Sequence, residues 1–242
     1  MTALDDRDVR VRVGAAHAAV WAALGTVRDP ELDEPLTDLG FVARCEVSAA
    51  GHAVIRLRLP TYFCAPNFAF LMVADAYDAV AGVPGLTGLD IRLDDHFASE
   101  VINRGVAARQ GFVASFEGEA VDELDTLRYD FVRKAVLAGT DRVCRTLSGT
   151  GLNPATLTLG EVPASPDLDR LRARRRELGL PAEDGAPLLL DPATGQPVAP
   201  GDAKRHLAFA RLTRTSMEAN SGVCRGMLRA RYSLTEEEEG TG

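Results

Sequence analysis

The chain has 242 residues, 46% of them hydrophobic, which is enough to bury a core and excludes wholesale disorder. A net charge of −8 argues against general affinity for nucleic acid or an anionic membrane, and no apolar run approaches the roughly 20 residues of a membrane span. Cys45, Cys64, Cys144 and Cys224 are widely separated and form no C-x-x-C pair, which is neither a zinc-ribbon pattern nor a disulfide framework. With no secretory signal in the opening residues, the expectation is a cytoplasmic protein with reduced thiols.

Ala15 to Thr26 has the apolar spacing of a short helix, ended by Arg28-Asp29-Pro30-Glu31. Leu39–Val47 and Ala53–Leu59 alternate as strands, and Ser48-Ala49-Ala50-Gly51-His52 between them suits an antiparallel hairpin that leaves His52 solvated. Ala65–Ala81 is a second helix and Leu89–Leu93 a third strand, stopped by Asp94-Asp95-His96, an expected exposed polar loop. This order predicts an α+β fold, a helix-strand-strand-helix-strand domain with helices on one sheet face.

Beyond residue 122 the texture is mainly helical. Leu124–Leu147 has a wide apolar arc, Asp167–Leu178 carries five arginines on what reads as a solvated face, and Ala203–Ala219 is a third helical run. A short strand pair is expected over Leu188–Val198, and a loop over Ser221-Gly222-Val223-Cys224-Arg225-Gly226. The expected division is an N-terminal tail at 1–13, a domain at 14–112, a mainly helical domain at 122–234 and an acidic disordered tail at 235–242.

The most informative stretch is Pro60-Thr61-Tyr62-Phe63-Cys64-Ala65-Pro66-Asn67, where a strand gives way to a helix. Pro66 suits a first helical turn. A thiol there meets free backbone donors and the positive end of the helix dipole, surroundings that favour thiolate. The alternative is a buried thiol that fills space, as Cys45 in mid-strand would. Asp29 and Glu31 form a turn that either shapes its loop or offers oxygen ligands. Cys144, near the end of a helix and off its apolar arc, and Cys224, in the small-residue loop, are further thiols that could converge on a metal. No nucleophile elbow, P-loop or dinucleotide fingerprint is present, so a hydrolase, kinase or dehydrogenase is not expected. The expectation is a protein that is not an enzyme, with a thiol enzyme using Cys64 and His52 or His96 as base the weaker alternative.

Four motifs in order, Asp29-Pro30-Glu31, Leu39-Gly40-Phe41-Val42, Thr61-x-x-Cys64 and the return strand from Val83-Pro84-Gly85 to Leu93, resemble the SufT/PaaD-like family of iron–sulfur assembly factors. The resemblance covers roughly residues 14 to 112. It implies a compact α+β domain whose Cys64 binds iron or an iron–sulfur cluster transiently, with Asp29, Glu31 and Thr61 at the family's motif positions. The family has Gly before the cysteine and Pro directly after it, where this chain has Phe63 and Ala65. The long C-terminal half resembles that of accessory proteins of soluble di-iron hydroxylases of the propane-monooxygenase type.

The resemblance therefore implies a maturation factor whose partner is a client metalloprotein such as a di-iron hydroxylase subunit. A single cysteine permits release, since ligands from a client or from a second copy in a homodimer complete the set. The competing expectation is a metal-free chaperone that keeps the fold and serves an oxygenase subunit through its C-terminal half.

Overall fold

In a computed structural model, residues 6–118, 120, 122 and 124–233 are described, so the expected acidic tail at 235–242 lies outside them. Two compact units emerge: Met1–Leu124 together with Ser221–Gly242, and Asp125–Asn220. No helix among the described residues is long and apolar enough to cross a membrane.

The first unit contains α1 (Asp6–Leu24), β1 (Val42–Val47), β2 (His52–Leu57), α2 (Pro66–Ala81), β3 (Gly88–Leu93), α3 (Ser99–Ala107) and the single turn α4 (Phe112–Ser115). Helix α1 begins well before the expected Ala15, and residues 6–13 of the expected tail are helical. No proline or glycine precedes Gly14 to stop it. The strands form one sheet in the order β1-β2-β3. β1 and β2 are an antiparallel hairpin with Cys45 opposite Ile55, whereas β2 and β3 run parallel with Ile55 opposite Ile91. A parallel pair needs a crossover, and α2 supplies it. Ala53, Ile55, Leu57, Ile91 and Leu93 share a core with Met72, Val73, Ala76 and Val80 of α2 and with Val20 and Leu24 of α1. The fold is therefore α+β, with its small sheet covered by helices.

The first strand starts later than expected because Leu36–Phe41 is a tight turn. Gly40 N–H donates to the Thr37 carbonyl at 3.1 Å and Phe41 N–H to the Leu36 carbonyl at 2.9 Å. Gly40 takes φ +73°, and a Cβ there would meet Leu228 Cδ2 at 3.2 Å. Gly40→Ala should therefore lower stability by about 1–3 kcal/mol in chemical denaturation, from left-handed backbone strain and crowding together. An unchanged midpoint would show that the turn tolerates a side chain.

The second unit holds α5 (Asp125–Thr146), α6 (Pro166–Glu177) and the first part of α7 (Ala203–Tyr232). Val136, Val143, Leu168, Leu171, Leu188 and Leu189 belong to its core. The strand pair expected over 188–198 reduces to one isolated bridge between Leu190 and Pro197, since Pro192 and Pro197 cannot donate to a ladder. The arginine-rich helix is only partly the solvated face its composition suggests. Arg175 is fully buried and donates from Nη1 to the Pro187 carbonyl at 2.8 Å and from Nη2 to the Leu188 carbonyl at 2.6 Å. Arg172 reaches the Ala182 carbonyl and the Asp184 carboxylate, each at 2.7 Å. Within the same unit, buried Asp141 accepts from Arg214 Nε at 2.6 Å.

Helix α7 does not end at Ala219. The expected loop at 221–226 is helical, and its residues group with the first unit instead of with a C-terminal domain spanning 122–234. Gly222 and Gly226, which suggested a loop, cost a helix only about 1 kcal/mol each. Ser221, Cys224, Arg225, Leu228 and Tyr232 follow helical spacing along one face, and Leu228 is 1% exposed. Burial of that face outweighs the two glycines.

Candidate functional site

Pro30 interrupts the chain after Val27, and the segment that follows closes on itself. Asp29 N–H donates to the Glu34 carbonyl at 3.0 Å and Asp33 N–H to the Asp29 carbonyl at 2.9 Å. Asp29 Oδ1 accepts from the Glu31 and Leu32 amides, both at 2.9 Å. Asp29 thus shapes the loop, as turn chemistry leads one to expect. It is also 7% exposed, and burial pushes its carboxyl up to about 6 against the opposing pull of those two amides, with Glu31 and Glu34 adding to the rise. Arg225 of α7 binds Glu34 Oε2 and the Asp38 carbonyl, which anchors the loop from the helix side.

Cys64 lies one residue before Ala65, the N-cap of α2, and Pro66 occupies the first turn as expected. Its carbonyl is held by His96 Nε2 at 2.7 Å, while the Ala98 amide donates to His96 Nδ1 at 3.2 Å. The second bond makes Nδ1 an acceptor, so Nε2 carries the proton and the ring is neutral. His96 is 3% exposed, not part of an exposed loop, and burial lowers its pKa. Its two nitrogens are spent on backbone, so it is a positioning residue for the cysteine loop. The sequence shows no signal for this role beyond a histidine at a strand end.

The thiol itself departs from expectation. Burial pushes Cys64 up to about 11, Asp29, Cys224 and Glu31 push in the same direction, and the Ala65 amide offsets only part. The half-buried, electronegative setting overrides the helix end, so the resting group is a protonated thiol and not a primed nucleophile. Cys224, half-buried against the same core, is raised by burial and by the same two carboxylates.

Cys64 and Cys224 both pack against the core of the first unit, and the charges of Asp29 and Glu31 reach both thiols. Thr61 lies half-buried three residues before Cys64 in the same loop. Cys144 belongs to the second unit; contrary to the off-core expectation it packs against that unit's core, and burial raises it to about 12. Cys45 is half-buried in β1 and raised to about 11 by burial, and His52 is exposed. Among the described residues, no group of three or more His, Cys, Asp or Glu could hold a metal ion.

Outside the thiol, Tyr62, Phe63 and Phe97 form an exposed aromatic cluster, with ring centroids 5.0 to 6.3 Å apart. Phe63, standing where the resembled family has Gly, is 77% exposed. A groove of about 1070 Å³ runs from Pro66 and Asn67 past Phe97 and Arg104 to Phe112.

Residues 17–91 match the family described as iron–sulfur cluster assembly protein, a segment that includes Asp29, Glu31, Thr61 and Cys64 but neither Cys144 nor Cys224. Over 83 residues the chain is 34% identical to iron–sulfur cluster carrier proteins of Mycobacterium bovis and Mycobacterium tuberculosis. That alignment covers 34% of this chain and 21% of each relative, so the chain spans about a fifth of the length of the curated proteins it matches. A crystal structure of a DUF59 domain of unknown function from Bacillus anthracis aligns with a TM-score of 0.33 at 21% identity, over 41% of this chain and 95% of that one.

Proposed function

We propose that this protein is a cytoplasmic accessory factor that takes up iron or an iron–sulfur cluster through Cys64 and delivers it to a client metalloenzyme. The observation that carries the reading is a half-buried loop thiol that feels the charges of buried Asp29 and of Glu31, inside the segment that matches an iron–sulfur assembly family. Two features of the site favour a cation. A buried carboxylate costs stability when it ionises. A thiol raised to about 11 becomes thiolate near neutral pH only when a cation displaces its proton. The residues present therefore fit iron or a cluster as cargo, with Cys64 as the bonding sulfur and the carboxylates lowering the cost of the positive charge. Bound iron supplies the charge that keeps the sulfur deprotonated.

The incomplete ligand set suits transfer, because the remaining positions stay available to sulfide and to a client's side chains. The exposed aromatic cluster beside Cys64 supports docking of that client, since Tyr and Phe anchor protein interfaces at low entropic cost. A di-iron monooxygenase component is the client to test first.

Anaerobic reconstitution with iron and sulfide is expected to give a visible sulfur-to-iron charge-transfer band in the wild type. Cys64→Ser should lose at least nine-tenths of it with its circular dichroism unchanged. Absence of the band in both proteins, even with client present, would sink the reading. Full client activation by Cys64→Ser would instead favour the metal-free chaperone, for which the exposed Phe63 and Phe97 surface is the supporting feature.

A further inference from the structure

Cys224 lies outside the segment that carries the family match, on a helix that starts in the other unit. Its surroundings are built and specific. Adjacent Arg225 holds Glu34 and the Asp38 carbonyl, at the far end of the Asp29 loop. One turn on, Leu228 is buried in the core beside Gly40. Arg231 then donates to the Leu59 carbonyl at 3.1 Å and to the Asp95 carbonyl at 2.5 Å. Leu59 ends the run leading into the cysteine loop, and Asp95 precedes the histidine that holds the Cys64 carbonyl. These bonds pin the helical face bearing Cys224 across both loops that carry Asp29 and Cys64.

We propose that α7 supplies Cys224 as a second sulfur ligand, so that Cys64 and Cys224 form a two-thiol half-site for ferrous iron or a cluster iron. This rests on the reading of Cys64 as the cargo-binding thiol. Binding moves no electrons: each sulfur bonds the metal as its proton leaves to water. Two thiolates select a borderline or soft metal over magnesium or calcium. His96 is not a third ligand, because its nitrogens are committed to the Cys64 carbonyl and the Ala98 amide. Cys224 lies on the same stripe of α7 as Leu228 and Arg231, and like Cys64 it packs against the core of the first unit. Among the described residues no third ligand joins them. Outside sulfur or client ligands complete it.

The test is anaerobic titration of the reduced full-length chain with cobalt(II), whose thiolate charge-transfer absorbance grows with the number of bonded sulfurs. Wild type should show two-thiolate intensity, Cys64→Ser and Cys224→Ser each about half with Kd weakened tenfold or more, and the double variant none. Wild-type intensity and affinity in Cys224→Ser, alongside loss in Cys64→Ser, overturns the second ligand and leaves the proposed function standing. No absorbance in the wild type overturns both. Should Cys224→Ser fail to fold, alkylation of the wild type decides. Cobalt should protect Cys64 and Cys224 from iodoacetamide and leave Cys45 and Cys144 as they were, whereas protection of Cys64 alone overturns the inference.

Discussion

Arg175→Ala should destabilise the second unit by about 4 kcal/mol. The guanidinium is fully buried and saturates two carbonyls, those of Pro187 and Leu188, in a segment with no regular strand ladder to take them over. Truncation leaves both acceptors dry and opens a cavity between α6 and the 187–188 backbone, and each unsatisfied acceptor costs about 1–3 kcal/mol. Burial lowers the guanidinium pKa to about 10, so it remains charged at pH 7 and makes charge-assisted bonds. Arg175→Lys keeps the charge but loses the planar fork, and about half the effect is expected. Urea unfolding followed by far-ultraviolet circular dichroism is the measurement. A change below 1 kcal/mol in Arg175→Ala would mean that water or neighbouring groups reach those carbonyls.

Asp29→Asn should move stability the other way. The carboxyl pKa is raised from 3.8 to about 6, so the folded state holds its proton more tightly than the unfolded chain does. Stability from this group is therefore intact below pH 4, falls as pH rises between about 4 and 6, and is lowest above that window. At about 1.4 kcal/mol for each pKa unit, the penalty at pH 7 is about 3 kcal/mol. Asparagine keeps an oxygen for the Glu31 and Leu32 amides while removing the charge from a site facing Glu31, Glu34 and two thiols. Metal-free Asp29→Asn should be more stable than wild type at pH 7 by up to about 3 kcal/mol, with the two converging near pH 4. A variant less stable than wild type at pH 7 would point to an uncounted positive charge beside Asp29. Such a destabilising carboxylate fits the proposed cation-handling role, in which the cargo would supply the missing charge.

Much of the first unit was legible in the sequence because its determinants are local. Alternation marked both hairpin strands, Gly51 marked the turn between them, and helical spacing from Phe68 to Val80 with Pro66 at the start marked α2. Turn chemistry also pointed to Asp29, which caps two nearby amides. Gly40 acquired its reason only in three dimensions, as the residue required by a left-handed turn pressed against Leu228. Elsewhere local rules misled. Gly222 and Gly226 suggested a loop at a place where partners more than 170 residues earlier in the chain hold a helix together. Five arginines suggested a solvated face, yet one of them is the plug of the second core.

By itself, then, the sequence determined an α+β domain with a lone thiol at a strand-to-helix junction, because periodicity, turns and caps act over a few residues. Only the tertiary structure decided what that thiol experiences. It replaced the expected helix-end thiolate by a half-buried protonated thiol, and it put Cys224, read as a loop residue, under the charges of the same two carboxylates. The physical reason is common to both outcomes: burial and the negative charges of carboxylates distant in sequence set the local field, and neither leaves a mark at short sequence spacing.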